Sequence, residues 1–129
     1  MISKIDPSIL FKGASFSPAL AEKITGLLLE NKIEVGEMLK EGKDLGKISE
    51  FGQATLLAPQ DILEEEKLLW LLTALESKLD TFYELGAEET RIYVGYFYED
   101  QCNITLTKEE IKILAKLDID LWVSCYEDS

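Results

Sequence analysis

The chain has 129 residues, of which 47% are hydrophobic and 29% charged, and it carries a formal charge of −12 at pH 7. That length and balance describe residues 1–129 as a single globular domain with its own core, and they exclude a disordered or fibrous chain. So acidic a surface also makes nucleic acid and anionic membrane poor partners.

Histidine is absent and Arg91 is the only arginine. No Ser-His or Cys-His nucleophile can therefore be built within the chain, and no arginine cluster can grip phosphate bidentately. Cys102 and Cys125 form no CxxC, so neither a zinc site nor a redox motif is expected. The expectation is two reduced thiols, with Cys125 a small buried hydrophobe and Cys102 a turn residue. The opening MISKIDPSILFKG lacks a charged region followed by a long apolar one, and no stretch approaches the ~18 apolar residues of a membrane span. A cytoplasmic protein is expected. The charge is uneven: residues 1–58 hold seven Lys against eight acids, while residues 59–129 hold six basic residues against seventeen acids.

In chain order, Ser8 to Gly13 reads as a short strand ended by glycine. Ser17 and Pro18 then fit the N-cap and first position of a helix, with Leu20, Ile24, Leu27 and Leu28 on its inward face and Asn31 near its end. Residues 33–58 leave strand and loop both open. Ile33 to Val35 and Gly52 to Pro59 have strand character, and Lys40 to Glu50 reads as a glycine-punctuated surface loop. The glycines match neither a dinucleotide nor a P-loop fingerprint.

The clearest element is the long helix after Pro59. Asp61 is placed to cap it. Glu64, Glu65 and Glu66 complement its positive end rather than form a metal or acid site. Leu68, Leu72, Leu75, Leu79 and Phe82 recur at helical spacing, Leu69, Trp70 and Leu71 widen the buried stripe, and Gly86 stops the helix.

Arg91 to Tyr98 then alternates, with Ile92, Val94, Tyr96 and Tyr98 on one side and Arg91, Tyr93, Gly95 and Phe97 on the other. A turn at Glu99–Asn103 leads to a short partner strand at Ile104–Leu106. Thr107 and Glu110 form a capping box for a helix that turns Ile111, Leu114 and Leu117 inward and ends at Asp118. The last strand carries Leu121, Val123 and Cys125 on one face and Trp122, Ser124 and Tyr126 on the other. This order predicts an α+β fold: one mixed, largely antiparallel sheet of about five strands, with three helices mainly on one face.

Three segments carry a resemblance: LFKGASFSPALAEKITGLL, ILEEEKLLWLLTALESKL and IYVGYFYEDQCNITLTKEEIKILAKLDIDLWVSCY. They resemble a bacterial family catalogued only as a domain of unknown function, number 4279. That family tends to carry a Thr-rich, Trp-containing stretch after its first helix, and KDLGKISEFGQATLLAP has no tryptophan. The resemblance implies an α+β fold and no catalytic residues.

Helices on one face leave the other face of the sheet open, with Tyr93, Phe97, Trp122 and Tyr126 as its candidate interaction residues and Glu99 and Asp100 at the adjoining turn. The reading that follows is a non-catalytic protein-interaction module of inhibitor or immunity type, using no cofactor and no metal. Its partner is expected to be a basic protein, with a homodimer as another arrangement. The alternative is a small-molecule-binding domain with an aromatic-lined pocket between sheet and long helix. An enzyme built on Glu99 and Asp100 is the weakest reading, because adjacent acids in a turn are usually just solvated.

Overall fold

The computed structural model describes residues Met1–Asp128. The elements are β1 (Ile2–Gly13), α1 (Pro18–Thr25), β2 (Glu30–Ile33), β3 (Gly52–Leu57), α2 (Lys67–Glu84), β4 (Glu89–Tyr98), α3 (Lys108–Leu117) and β5 (Leu121–Glu127). The strands form one open mixed sheet in the order β2-β3-β1-β4-β5, with β2 and β3 antiparallel and β4 and β5 parallel. The fold class is α+β. Contacts divide the chain into two compact units. The first comprises Met1–Ile9, Leu57–Ser77 and the residues from Arg91 onward; the second comprises Leu10–Leu56 and Lys78–Thr90. The first unit holds fourteen acidic side chains against six basic ones.

Strand alternation decides which side of the sheet is covered. Ile92, Val94 and Tyr96 are buried in β4, as are Pro7, Ile9 and Phe11 in β1 and Ala54 and Leu56 in β3. Their neighbours in sequence are mostly half-exposed. One dry face and one open face is the pattern of a sheet with its helices on a single side. β1 starts at Ile2, six residues before the expected Ser8. Pro7, which has no N–H to give a ladder, argues locally against a strand that the fold nonetheless makes.

The first helix turns the other way from its apolar pattern. Ser17 accepts from the Leu20 N–H at 3.3 Å, and Gly26, at φ 75°, ends the helix well before Asn31. Its buried residues are Pro18, Ala21 and Thr25, while Leu20, Ile24 and Leu28 are 45%, 52% and 82% exposed. Small side chains let a short helix lie close to its support, and that closeness outweighs the longer apolar row. β2 is likewise displaced from Ile33–Val35 to Glu30–Ile33, and Lys40–Glu50 is the expected loop, with one isolated bridge between Met38 and Ile48.

The long helix keeps its predicted stripe: Leu68, Leu71, Leu72, Leu75, Leu79 and Phe82 are all buried. Trp70 departs from it, at 37% exposed in a shallow groove with Ile62, Leu69 and Thr73. Asp61 is not the cap. The three glutamates form a 3₁₀ turn, Glu64–Glu66, whose preceding residue is Leu63 and makes no side-chain cap. Gly86 ends the segment at φ 98°.

Glu64 has a different task from the dipole role expected of it. Its carboxylate accepts from the Lys67 ammonium at 2.6 Å and from the Ile5 N–H at 2.8 Å, which joins the start of β1 to the start of α2. Lys67 is buried, and Glu64 is the carboxylate paired with it there. The Lys67 contact first, and the Ile5 N–H second, hold the Glu64 carboxyl below its ordinary value of 4.5. A lowered carboxyl pKa stabilises the fold above the unfolded value, and the gain is lost as pH falls through the folded one. Glu64→Gln should therefore cost about 2–3 kcal/mol at neutral pH, by leaving a buried ammonium poorly paired. Urea unfolding at pH 7 and again below pH 4 checks it: the gap between wild type and variant should shrink in acid.

The second unit is centred on three rings. Phe11 and Phe82 stack with centroids 3.9 Å apart and planes 6° apart, and Phe16 lies 6.3 Å from each. All three are buried.

Beyond β4 the expected hairpin is replaced by a crossover. Ile104–Leu106 forms no strand; the chain runs irregularly into α3 and returns as β5, parallel to β4. The capping box is present as read: Thr107 Oγ1 accepts from Glu110 N–H at 3.2 Å, and Glu110 Oε1 accepts from Thr107 N–H at 2.7 Å. That reciprocal pair buries Glu110. Leu117 is buried too, Leu114 is half-buried, and Ile111 is turned out to solvent. Asp118, at φ 55°, ends α3.

Candidate interaction surface

The open face of the first unit is built by register. In the parallel pair, Tyr93 is level with Trp122, Gly95 with Ser124 and Phe97 with Tyr126. Alternation sends all six to the same side. The four rings meet in two pairs, Tyr93 with Trp122 at 6.2 Å between centroids and Phe97 with Tyr126 at 5.0 Å. Gly95 makes room between them: a Cβ there would lie 3.3 Å from the Tyr126 ring. Trp122 and Tyr126 are 52% and 50% exposed, and Tyr93 and Phe97 are half-buried beneath them.

Two cations already lie on these rings. Lys4 Nζ sits 5.3 Å from the centre of Phe97, and the Arg91 guanidinium sits 5.8 Å from that of Trp122. Arg91 also donates to the Tyr93 hydroxyl at 3.4 Å. Such contacts are worth about 0.5–1 kcal/mol when exposed and more when dried. Between the ring pairs lies a shallow depression of about 270 Å³, lined among others by Asp6, Ser8, Tyr93, Phe97, Ser124 and Tyr126. It is lined by aromatic side chains, four hydroxyl-bearing residues and one carboxylate, which is the chemistry that receives an ammonium or guanidinium group.

The strand carrying Trp122 and Tyr126 is the sheet's edge. Asp128 N–H donates to Tyr98 C=O at 2.7 Å. The two-residue period then turns the main-chain groups of Trp122, Ser124 and Tyr126 towards β4, and those of Val123, Cys125 and Glu127 outward. From Trp122 to Glu127 every side chain is exposed, on both faces. Cys125 is therefore not the buried hydrophobe expected of it, because an edge strand with nothing over it has no interior to offer. Cys102 is half-buried in the segment after the turn.

Glu99 and Asp100 fall in the exposed turn beyond β4, not among the strand residues that carry the rings; Asp100 takes φ 65° there. They shape the turn. The ring residues were legible from the alternation of β4 and β5. Lys4 and Asp6 were not, because β1 gave no strand signal before Ser8.

A separate cavity of about 370 Å³ also lies in this unit, lined by Ile5, Glu64, Leu68, Tyr96, Ile104 and Glu110 among others. Tyr96 is its one ring, and burial holds that hydroxyl above its ordinary ionisation range. Among the described residues, no cluster of His, Cys, Asp or Glu is arranged to hold a metal ion, and no helix is long and apolar enough to cross a membrane. Comparison with protein-family models, with curated proteins and with solved structures found no match to this chain.

Proposed function

We propose that this protein is a non-catalytic interaction module that docks a basic protein on β5 and the aromatic face beside it. The observation that carries the reading is the half-exposure of Trp122 and Tyr126 on an edge strand, in an aromatic cluster where Arg91 lies on Trp122 and Lys4 on Phe97. Tryptophan and tyrosine are the side chains most enriched where binding energy concentrates. The ends of the strand decide between partners. Asp118 and Asp120 flank it on one side, and Glu127 and Asp128 on the other. A second copy paired antiparallel along β5 would set acid against acid. A strand with an apolar centre and lysine or arginine at its ends meets the opposite charge throughout.

The double variant Trp122→Ala/Tyr126→Ala tests this. Wild type should retain one or a few basic proteins from the source cell, and raised salt should release them. The double variant, still folded by circular dichroism, should bind them about 30-fold or more weakly. Equal binding by both proteins would sink the reading. The cavity beside Tyr96 favours a second reading, a small-molecule site, since its volume lies in the range of ligand pockets. A ligand screen by thermal shift separates the two: a hit abolished by Leu68→Trp and indifferent to the β5 variant belongs to the cavity.

A further inference from the structure

Cys102 and Cys125 are 23 positions apart in sequence, yet their sulfurs lie 3.3 Å apart. Neither is bonded to another sulfur. An approach of about 1.2 Å would bring them to the ~2.05 Å of a disulfide. The approach is set by the fold. Cys125 stands level with Tyr96 in the β4–β5 register, and Cys102 follows the turn that closes β4. Cys125 is exposed and Cys102 half-buried, so an oxidant reaches the pair from solvent through Cys125.

We propose that Cys102 and Cys125 are a reversible thiol–disulfide pair, oxidised by hydrogen peroxide. The Cys102 thiol donates its hydrogen bond to the Cys125 sulfur. Burial first, and the contact with Cys125 second, hold the Cys102 thiol above its ordinary ionisation range, so it keeps its proton while the exposed Cys125 sulfur meets the oxidant. The Cys125 thiolate attacks one peroxide oxygen, the O–O bond breaks, and one water leaves with Cys125 as a sulfenic acid. The Cys102 sulfur then attacks Cys125, forming the S–S bond and expelling the sulfenic oxygen as a second water. Two thiols lose two electrons and two protons, and peroxide is reduced to two waters. The bond closes a loop that contains all of α3 and ties the chain at Cys102 to the middle of β5. Closing such a loop restricts the unfolded chain and raises the unfolding temperature.

The test uses the whole reduced protein at low concentration with a slight excess of peroxide. The expected product is a monomer lighter by two hydrogen atoms, with no free thiol and a 102–125 cross-linked peptide after digestion. Its melting temperature should rise by several degrees, and dithiothreitol should return both mass and melting temperature to their starting values. Cys102→Ser should instead stop at sulfenic or sulfinic acid on Cys125, with no rise in melting temperature. Sulfinic acids on both cysteines of wild type, or disulfide-linked dimers as the main product, would overturn the proposal.

Discussion

Gly52→Ala is expected to cost about 4 kcal/mol or more, a size reserved for substitutions the backbone cannot absorb. A Cβ on Gly52 would lie 1.7 Å from the carbonyl oxygen of Phe16 and 2.7 Å from its carbon. Both are main-chain atoms, so no side chain can swing aside. Either β3 leaves its place or the turn before α1 does, and that turn holds Phe16 in the ring cluster and Ser17 at its cap. Gly42→Ala is the matched control. Gly42 has φ 83° and nothing near its missing Cβ, so its cost is backbone strain alone, about 1 kcal/mol. Guanidinium midpoints of the two variants should differ widely at similar slopes. Equal midpoints would mean that β3 does not approach the turn as closely as described.

Phe82→Ala should cost about 3–5 kcal/mol, the range for removing a fully buried ring. Phe82 is wholly inaccessible, stacks on Phe11 and touches Phe16, so the cavity left behind is walled by two large rings that cannot collapse into it. Phe82→Leu refills most of that volume and should cost well under half as much. Thermal unfolding of the pair checks the claim. If both substitutions lower the melting temperature alike, the loss lies in the stack rather than in the void. Against a typical stability of 5–15 kcal/mol, the alanine variant sits at the margin of folding.

What the sequence declared plainly was what its local chemistry alone controls. The α2 stripe ending in Phe82 spans several turns, so its period survives the addition of Trp70. Thr107 and Glu110 bond to each other and need no distant partner. The alternation of β4 separated Tyr93 and Phe97 from Ile92, Val94 and Tyr96 correctly. The misreadings share a different cause. In α1 the longer apolar row points outward because Ala21 and Thr25 permit a closer approach than Leu20 and Ile24 would. Ile104–Leu106 has strand composition, but the parallel crossover gives it no partner. Cys125 looked buried because alternation says which face a residue takes, not whether anything covers that face. The nearness of Cys102 and Cys125 was not legible either, since it depends on which residue of β5 stands level with Tyr96.

The exposure of β5 on both faces has a consequence for how the protein behaves in concentrated solution. Leu121 to Tyr126 is an uncharged run of aromatic, aliphatic and small polar residues, with no proline, lysine or bulge to blunt the edge. Such a run is a template for insoluble cross-β stacking. Asp118, Asp120, Glu127 and Asp128 act as its gatekeepers, and the net charge of −12 keeps whole molecules apart. Both safeguards are electrostatic, and both fade together as added salt shortens the screening length from ~10 Å at 0.1 M to ~3 Å at 1 M. High salt thus screens the repulsion and leaves the sticky strand in place, so precipitation should begin while the fold itself is still intact.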